Sequence, residues 1–89
     1  MEISFDLAKN ALNIELRGLS FERAADFEFE TALFSQDLRQ DYGEMRLRAL
    51  GLLGKRVHAL VFVETALGIR VVSFRKANKR EVAIYESQT

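Results

Sequence analysis

The stretch Gly68-Ile69-Arg70-Val71-Val72-Ser73-Phe74-Arg75-Lys76-Ala77 decides how this chain folds. Its β-branched and aromatic residues fit a pleated, half-buried surface, which predicts a strand over Ile69–Arg75. Its far end is cationic. Arg70, Arg75, Lys76, Lys79 and Arg80 fall within eleven positions, a density that serves a phosphate or an acidic partner rather than a core. The rest of the chain must supply the neighbours of this strand.

Working outward, Arg56–Thr65 is rich in Val, Leu and Phe and reads as a central strand, joined to Ile69 through a turn at Ala66-Leu67-Gly68. Glu44-Met45-Arg46-Leu47-Arg48-Ala49-Leu50 alternates polar and apolar residues, as a strand with one solvated face does, and Gly54-Lys55 is a tight-turn pair. Downstream, Asn78 is placed to cap a helix running to about Ser87. At the other end, Ile3 and Phe5 predict a short strand. Asp6 then caps a helix over Leu7–Arg17 that Gly18 stops, and Ser20 caps a second helix carrying Phe21, Ala24, Ala25 and Phe27. Thr31–Phe34 is a weaker strand signal, and Ser35–Gly43 reads as a polar loop. The predicted order is β-α-α-β-β-β-α plus that weak strand: one α+β domain over 1–89, with two N-terminal helices packed on an antiparallel sheet and a C-terminal helix.

Composition narrows the class. Eighty-nine residues with 48% apolar content support one core, and the absence of cysteine removes disulfides and thiolate metal sites. Met1–Asp6 lacks the basic flank and apolar run of a signal peptide, and nothing approaches the roughly 20 apolar residues that span a bilayer. A cytoplasmic protein with no membrane partner is the expectation. The zero net charge hides a split. Residues 1–44 hold four cations against ten carboxylates, a net −6, and residues 45–89 hold nine against three, a net +6. Such a division either creates an electropositive face or lets the halves neutralise each other.

The two turns set a register. A two-residue Gly54-Lys55 turn places Glu44 opposite Thr65, Arg46 opposite Val63 and Arg48 opposite Val61. A Leu67-Gly68 turn places Thr65 opposite Arg70. One face then carries a Glu44–Thr65–Arg70 row with Arg46 beside it, and the other carries Met45, Leu47, Leu60, Phe62, Ile69 and Val71 as core. On the same register Arg75 faces away from Arg70 unless a bulge re-aims the strand.

These pieces together resemble the BrnT toxins of bacterial type II toxin–antitoxin pairs. The residues carrying the resemblance are Phe5-Asp6 with Lys9 and Asn13, Gly18-Leu19-Ser20-Phe21-Glu22 with Ala24, and Asp41-Tyr42-Gly43-Glu44 with Arg46 and Gly51. They continue through Gly54-Lys55-Arg56, Val61-Phe62-Val63 with Thr65, Ile69-Arg70-Val71-Val72-Ser73 with Arg75 and Ala77, and finally Arg80-Glu81 and Tyr85. The resemblance implies a RelE-like fold and a metal-independent ribonuclease that inhibits translation and needs no cofactor. It also implies a BrnA-like antitoxin with a ribbon-helix-helix domain as partner, RNA as substrate, and promoter DNA bound only through the antitoxin. Two departures stand out. The family usually has Trp at Phe5, and Lys-His-Gly at Leu16-Arg17-Gly18. Arg17 keeps the charge but cannot act as a neutral base.

RNA cleavage without a metal needs a base for the ribose 2′-hydroxyl, cations for charge gathering on phosphorus, and an acid for the leaving oxygen. On the resemblance and the row together, the catalytic set is Glu44 as base, Arg46 and Arg70 as phosphate clamps, and Arg75 as a transition-state contact. Lys9, Arg17, Lys76 and Tyr85 are the RNA contacts, and no residue is a metal ligand. Plain readings stand beside these. Glu44 and Arg70 make an ordinary cross-strand ion pair, Arg46 and Arg48 a solvated strand face, and Lys9 a surface residue. The Arg75–Arg80 cluster docks the acidic half or an acidic partner, Tyr85 packs, and His58 packs in its strand, a single histidine making no ligand set. The competing function is a catalytically weakened RelE-like module that binds antitoxin for promoter autoregulation. A generic nucleic-acid binder, marked by steep salt dependence, is a third.

Overall fold

The computed structural model describes residues 1–89. Strands β1 (Glu2–Phe5), β2 (Leu33–Gln36), β3 (Leu47–Leu53), β4 (Arg56–Glu64) and β5 (Gly68–Lys76) form one sheet in the order β1-β5-β4-β3-β2. Helix α1 (Leu7–Arg17) follows β1, and α2 (Lys79–Ser87) ends the chain. The fold is α+β as expected, and β5 lies inside the sheet between β1 and β4. The sheet is mixed, because β1 pairs with β5 in parallel, Glu2 to Gly68 through Phe5 to Val71. That pairing brings the Glu2 backbone directly against Gly68, where a Cβ would collide with it.

The expected caps are in place at three helix ends. Asp6 accepts from the Lys9 amide, Gly18 closes α1 at φ 65°, and Asn78 with Glu81 forms a reciprocal capping box on α2. The second helix is instead a short 3₁₀ segment over Phe21–Asp26, followed by another at Phe29–Thr31. Its buried residues explain the difference. Phe21, Ala24 and Phe27 recur every third position, the period that keeps one face of a three-residue turn on the core. Nor is α1 packed onto the sheet by its apolar side, since none of its residues is buried. It runs beside β5 and is pinned by two asparagines. Asn13 donates to the carbonyls of Leu19 (2.9 Å) and Phe74 (2.8 Å), and Asn10 accepts from the Phe21 amide at 2.7 Å.

The Gly54-Lys55 turn holds, and Leu53 pairs with Arg56 and Arg48 with Val61 as the register requires. Three boundaries differ. Strand β2 begins at Leu33, after the second 3₁₀ turn, and β3 begins at Leu47 rather than Glu44. Asp41 and Gly43 (φ 71°) bend the preceding loop, leaving Glu44, Met45 and Arg46 outside the ladder, and Met45 is exposed instead of core. Between β4 and β5 the turn is Ala66-Leu67, because Thr65 and Gly68 pair through their backbones at 2.9 Å. That one-residue move shifts the register by two, so Arg70 faces Val63 rather than Thr65. The ladder then passes from Phe62–Val71 to Val61–Ser73, skipping Val72 as a bulge.

The main core lies on one face of the sheet, where Leu60, Phe62, Ile69, Val71 and Phe74 meet Phe21, Ala24 and Phe27. Gly51 is required here, since a Cβ would sit 2.6 Å from the Phe27 ring. A smaller core of Val57, Ala77 and Tyr85 lies under α2.

Candidate functional site

The bulge at Val72 determines what the second face presents. Val63, Val61 and Ala59 alternate along β4 on that face and pair with Arg70, Ser73 and Arg75. Arg70 and Arg75 therefore project to the same side. The flat register would have opposed them. Arg46, one step beyond the Leu47–Phe62 pair, continues the row on the other flank of Val63.

Glu44 bridges this row. Its Oε2 accepts from Arg70 Nη2 at 2.7 Å and from Arg46 Nε at 3.1 Å. The two guanidinium groups hold the Glu44 carboxyl below its ordinary value, Arg70 contributing most. The Glu44–Arg70 pair forms as expected, by reaching from the loop instead of along a strand row. Arg46 is oriented from beneath, its guanidinium carbon 3.9 Å from the centre of the Tyr42 ring. Tyr42 in turn donates to Asp37 at 3.3 Å, and Arg39 clamps the same carboxylate at 2.8 and 2.7 Å. Asp37 is buried, and the Arg39 guanidinium pulls its pKa down to about 2. A 2.7 Å bond from the Asp37 amide to the Arg46 carbonyl closes the loop on itself. The polar composition of residues 35–43 gave no hint of this order. The one signal was the Asp37/Arg39/Tyr42 spacing.

Arg46 and Arg70 share a cleft of about 370 Å³ with Ser4, Phe5, Asp6 and Lys9. The parallel β1 strand places Ser4 beside Arg70, and the cap at Asp6 sets Lys9 in the first turn of α1. Lys9 makes none of the ion pairs in the protein. Lys9, Arg46 and Arg70 outnumber Glu44 and Asp6 by one charge, so the cleft attracts anions.

Arg75 is not in that cleft. It grips Glu81 of α2 at 2.7 and 2.9 Å, and Arg48 approaches the same carboxylate at 3.6 Å. Glu81 also accepts from the Asn78 amide at 2.9 Å. With Arg75 as main partner its pKa falls to about 2. Arg75 and Arg48 thus hold α2 against the sheet, a role that sequence reading missed because Arg48 is distant from Glu81 along the chain and the turn between β5 and α2 decides whether Arg75 reaches it. Tyr85 is buried in the α2 core with Val57 and Ala77, so packing, one of its two sequence readings, describes its position.

Arg17 and Lys76 meet elsewhere, at a cleft of about 510 Å³ that Arg23 and His58 also line. His58 Nδ1 lies 2.8 Å from the Arg56 carbonyl, which can only accept, so that nitrogen carries the proton. Burial lowers the pKa of His58 and favours its neutral form.

A small α+β protein with a cation-lined cleft built around one shared carboxylate has a site suited to an anionic group. The family model for BrnT, described as the ribonuclease toxin of a type II toxin–antitoxin system, matches residues 5–81. The chain belongs to the BrnT toxin family. Neither a curated protein nor a solved structure matches it. No helix is long and apolar enough to cross a membrane.

Proposed function

We propose that this chain is an endoribonuclease toxin of the RelE-like kind that cuts RNA at the Lys9–Arg46–Arg70 cleft without a metal. The observation carrying this reading is the Glu44 carboxylate held between Arg70 at 2.7 Å and Arg46 at 3.1 Å on the cleft rim. An entering phosphate competes for both guanidinium groups. Once it takes them, Glu44 loses the partners that depress its basicity and can accept the ribose 2′-hydroxyl proton. The 2′-oxygen then attacks phosphorus, the bond to the 5′-oxygen breaks, and a 2′,3′-cyclic phosphate is left. Arg46 and Arg70 hold the charge gathering on the phosphoryl oxygens. Lys9, which lines the same cleft, then protonates the departing 5′-oxygen. Arg75 and Tyr85 take no part, since one is committed to Glu81 and the other to the α2 core.

In the cell this activity inhibits translation in the cytoplasm, and a BrnA-like antitoxin with a ribbon-helix-helix domain neutralises it and carries the complex to promoter DNA. One observation favours the alternative of a weakened antitoxin-binding module: both clamp arginines are already paired with Glu44. Purified protein incubated with RNA in excess EDTA separates the two. Cleavage that persists in EDTA and disappears in Arg70→Ala supports the nuclease. RNA left intact by the protein alone, although the same preparation binds antitoxin tightly, supports the module.

A further inference from the structure

Arg17 and Lys76 line a cleft apart from the Lys9–Arg46–Arg70 cleft (the distal and the proximal cleft), and a third groove shares lining residues with each. Lys9 lines both the proximal cleft and a groove between α1 and the bulged part of β5, and Arg17 lines both that groove and the distal cleft. Lys9 and Arg17 are eight residues apart on α1, an axial distance of about 12 Å. We propose that a single RNA strand leaves the proximal cleft along this groove and that Arg17 and Lys76 hold one of its phosphates in the distal cleft. The inference rests on the proximal cleft being where RNA is cut, and it adds the path and length of the substrate.

Charge selects this exit over the others. Beyond Arg70 toward the start of β5, Glu2 is paired with Gly68 and Glu64 with Ile69, so a phosphate chain leaving there meets exposed carboxylates. Toward the end of β5 the charges reverse. Lys55, Arg56, Lys76, Lys79 and Arg80 are all exposed, and no carboxylate lines the distal cleft. Arg23 faces that cleft but has Asp26 at 3.3 Å, which leaves Arg17 and Lys76 as its cations without an ion-pair partner.

The groove between them is suited to bases more than to further phosphates. Leu12, Leu16 and Val72 line it, and Leu12 and Leu16 are exposed to 53% and 69%. Asn13, also on its wall, has spent its amide protons on the Leu19 and Phe74 carbonyls. In the distal cleft His58 has committed its Nδ1 proton to Arg56, so its Nε2 can only accept, which suits an exocyclic amino group of a base. A cation at each end holds the backbone, and the aliphatic floor between them can cover base faces without reading their edges, which leaves little sequence preference. An acidic peptide would also meet cations at the two ends, and it is the competing occupant.

The test compares binding of 2′-O-methyl oligoadenylates of two and six nucleotides, which lack the attacking hydroxyl and are not cut. For the unmodified protein the hexamer binds roughly ten-fold or more tighter than the dimer. In Arg17→Ala/Lys76→Ala the ratio collapses toward one, and the hexamer's log Kd against log salt slope falls by about 0.7 for the one phosphate lost. A ratio that survives in this double variant overturns the track. So does failure of the unmodified protein to bind either oligomer, or a hexaglutamate peptide losing affinity in the double variant while the RNA ratio stays. Cleavage by Arg70→Ala reports separately on the proximal site. Its loss, with the length ratio unaffected by the double variant, removes the track and spares the cleavage site. Cleavage surviving in Arg70→Ala while the ratio collapses leaves the track as a binding surface and removes the cleavage site.

Discussion

Arg70 and Arg75 project from one face of β5 although five positions separate them, because the ladder to β4 skips Val72. Each ends on a different carboxylate, Arg70 on the half-exposed Glu44 and Arg75 on the buried Glu81. Their substitutions should therefore separate. Arg70→Ala is expected to lower RNA cleavage at least ~100-fold, the loss typical of removing a charge-stabilising donor, with the melting temperature moving by no more than roughly 3 °C. Arg75→Ala should leave cleavage per folded molecule within about three-fold but cost about 2–4 kcal/mol in urea unfolding, since it strands a buried carboxylate. Activity loss in Arg75→Ala without loss of stability would return Arg75 to the reaction.

The two guanidinium groups on Glu44 lower its pKa in the free protein, and in the proposed mechanism a bound phosphate takes them away. The acid limb of kcat/KM, which reports the free protein, should lie at lower pH than the acid limb of kcat, which reports the RNA complex. Glu44→Gln should abolish both limbs together with the cleavage while RNA binding tightens, because the competing anion is gone. Coincident limbs would exclude this exchange of partners.

Folded Glu81 titrates near 2 against an ordinary value of 4.5. Its contribution to stability is complete above pH 4.5 and is lost as the pH falls from there through about 2. The shift corresponds to about 3 kcal/mol at most. Unfolding free energy should decline across that window in the parent protein and decline less in Glu81→Gln, which is already weaker at pH 7. Parallel pH profiles would show that the Arg75–Glu81 pair contributes nothing net.

Two glycines mark where backbone or ring leaves no room. Gly51→Ala drives a methyl into Phe27 and should cost about 1–3 kcal/mol, since the ring has Phe29 and Phe74 against it and little freedom to turn. Gly68→Ala meets the Glu2 backbone, so it should detach β1 and with it the Ser4 wall of the cleft. Cleavage should fall further in Gly68→Ala than in Gly51→Ala at equal loss of stability, as read by urea titration beside an RNA cleavage assay.

Local chemistry was legible in the sequence and long-range geometry was not. Asp6, Gly18 and Asn78 announced their helix ends because a cap needs only its own neighbours, and Gly54-Lys55 fixed the β3–β4 register for the same reason. The Ala66-Leu67 turn was read one residue late, since Leu67-Gly68 has the stronger turn composition and the Thr65–Gly68 pairing that wins is made by backbone atoms. Nothing in Val71-Val72-Ser73 marks which residue the ladder will skip. The parallel partner of β1 lies more than sixty positions away, beyond any local pattern. The site followed suit. Glu44, Arg46 and Arg70 were grouped through a register row and the family resemblance; the row was wrong in detail, but the Glu44 side chain is long enough to reach Arg70 from the loop. Tyr42 and Asp37, which orient Arg46 from below, went unread in a loop whose composition resembles any polar loop.

Helix α1 is fastened by the amides of Asn10 and Asn13 and buries none of its residues. Directional bonds of this sort release at small displacement and re-form in one position only. Hydrogen exchange should accordingly find α1 opening well ahead of β4, six of whose nine residues are buried. The wall bearing Lys9 and Arg17 then yields before the sheet beneath it, and the two asparagines set the one position to which it returns.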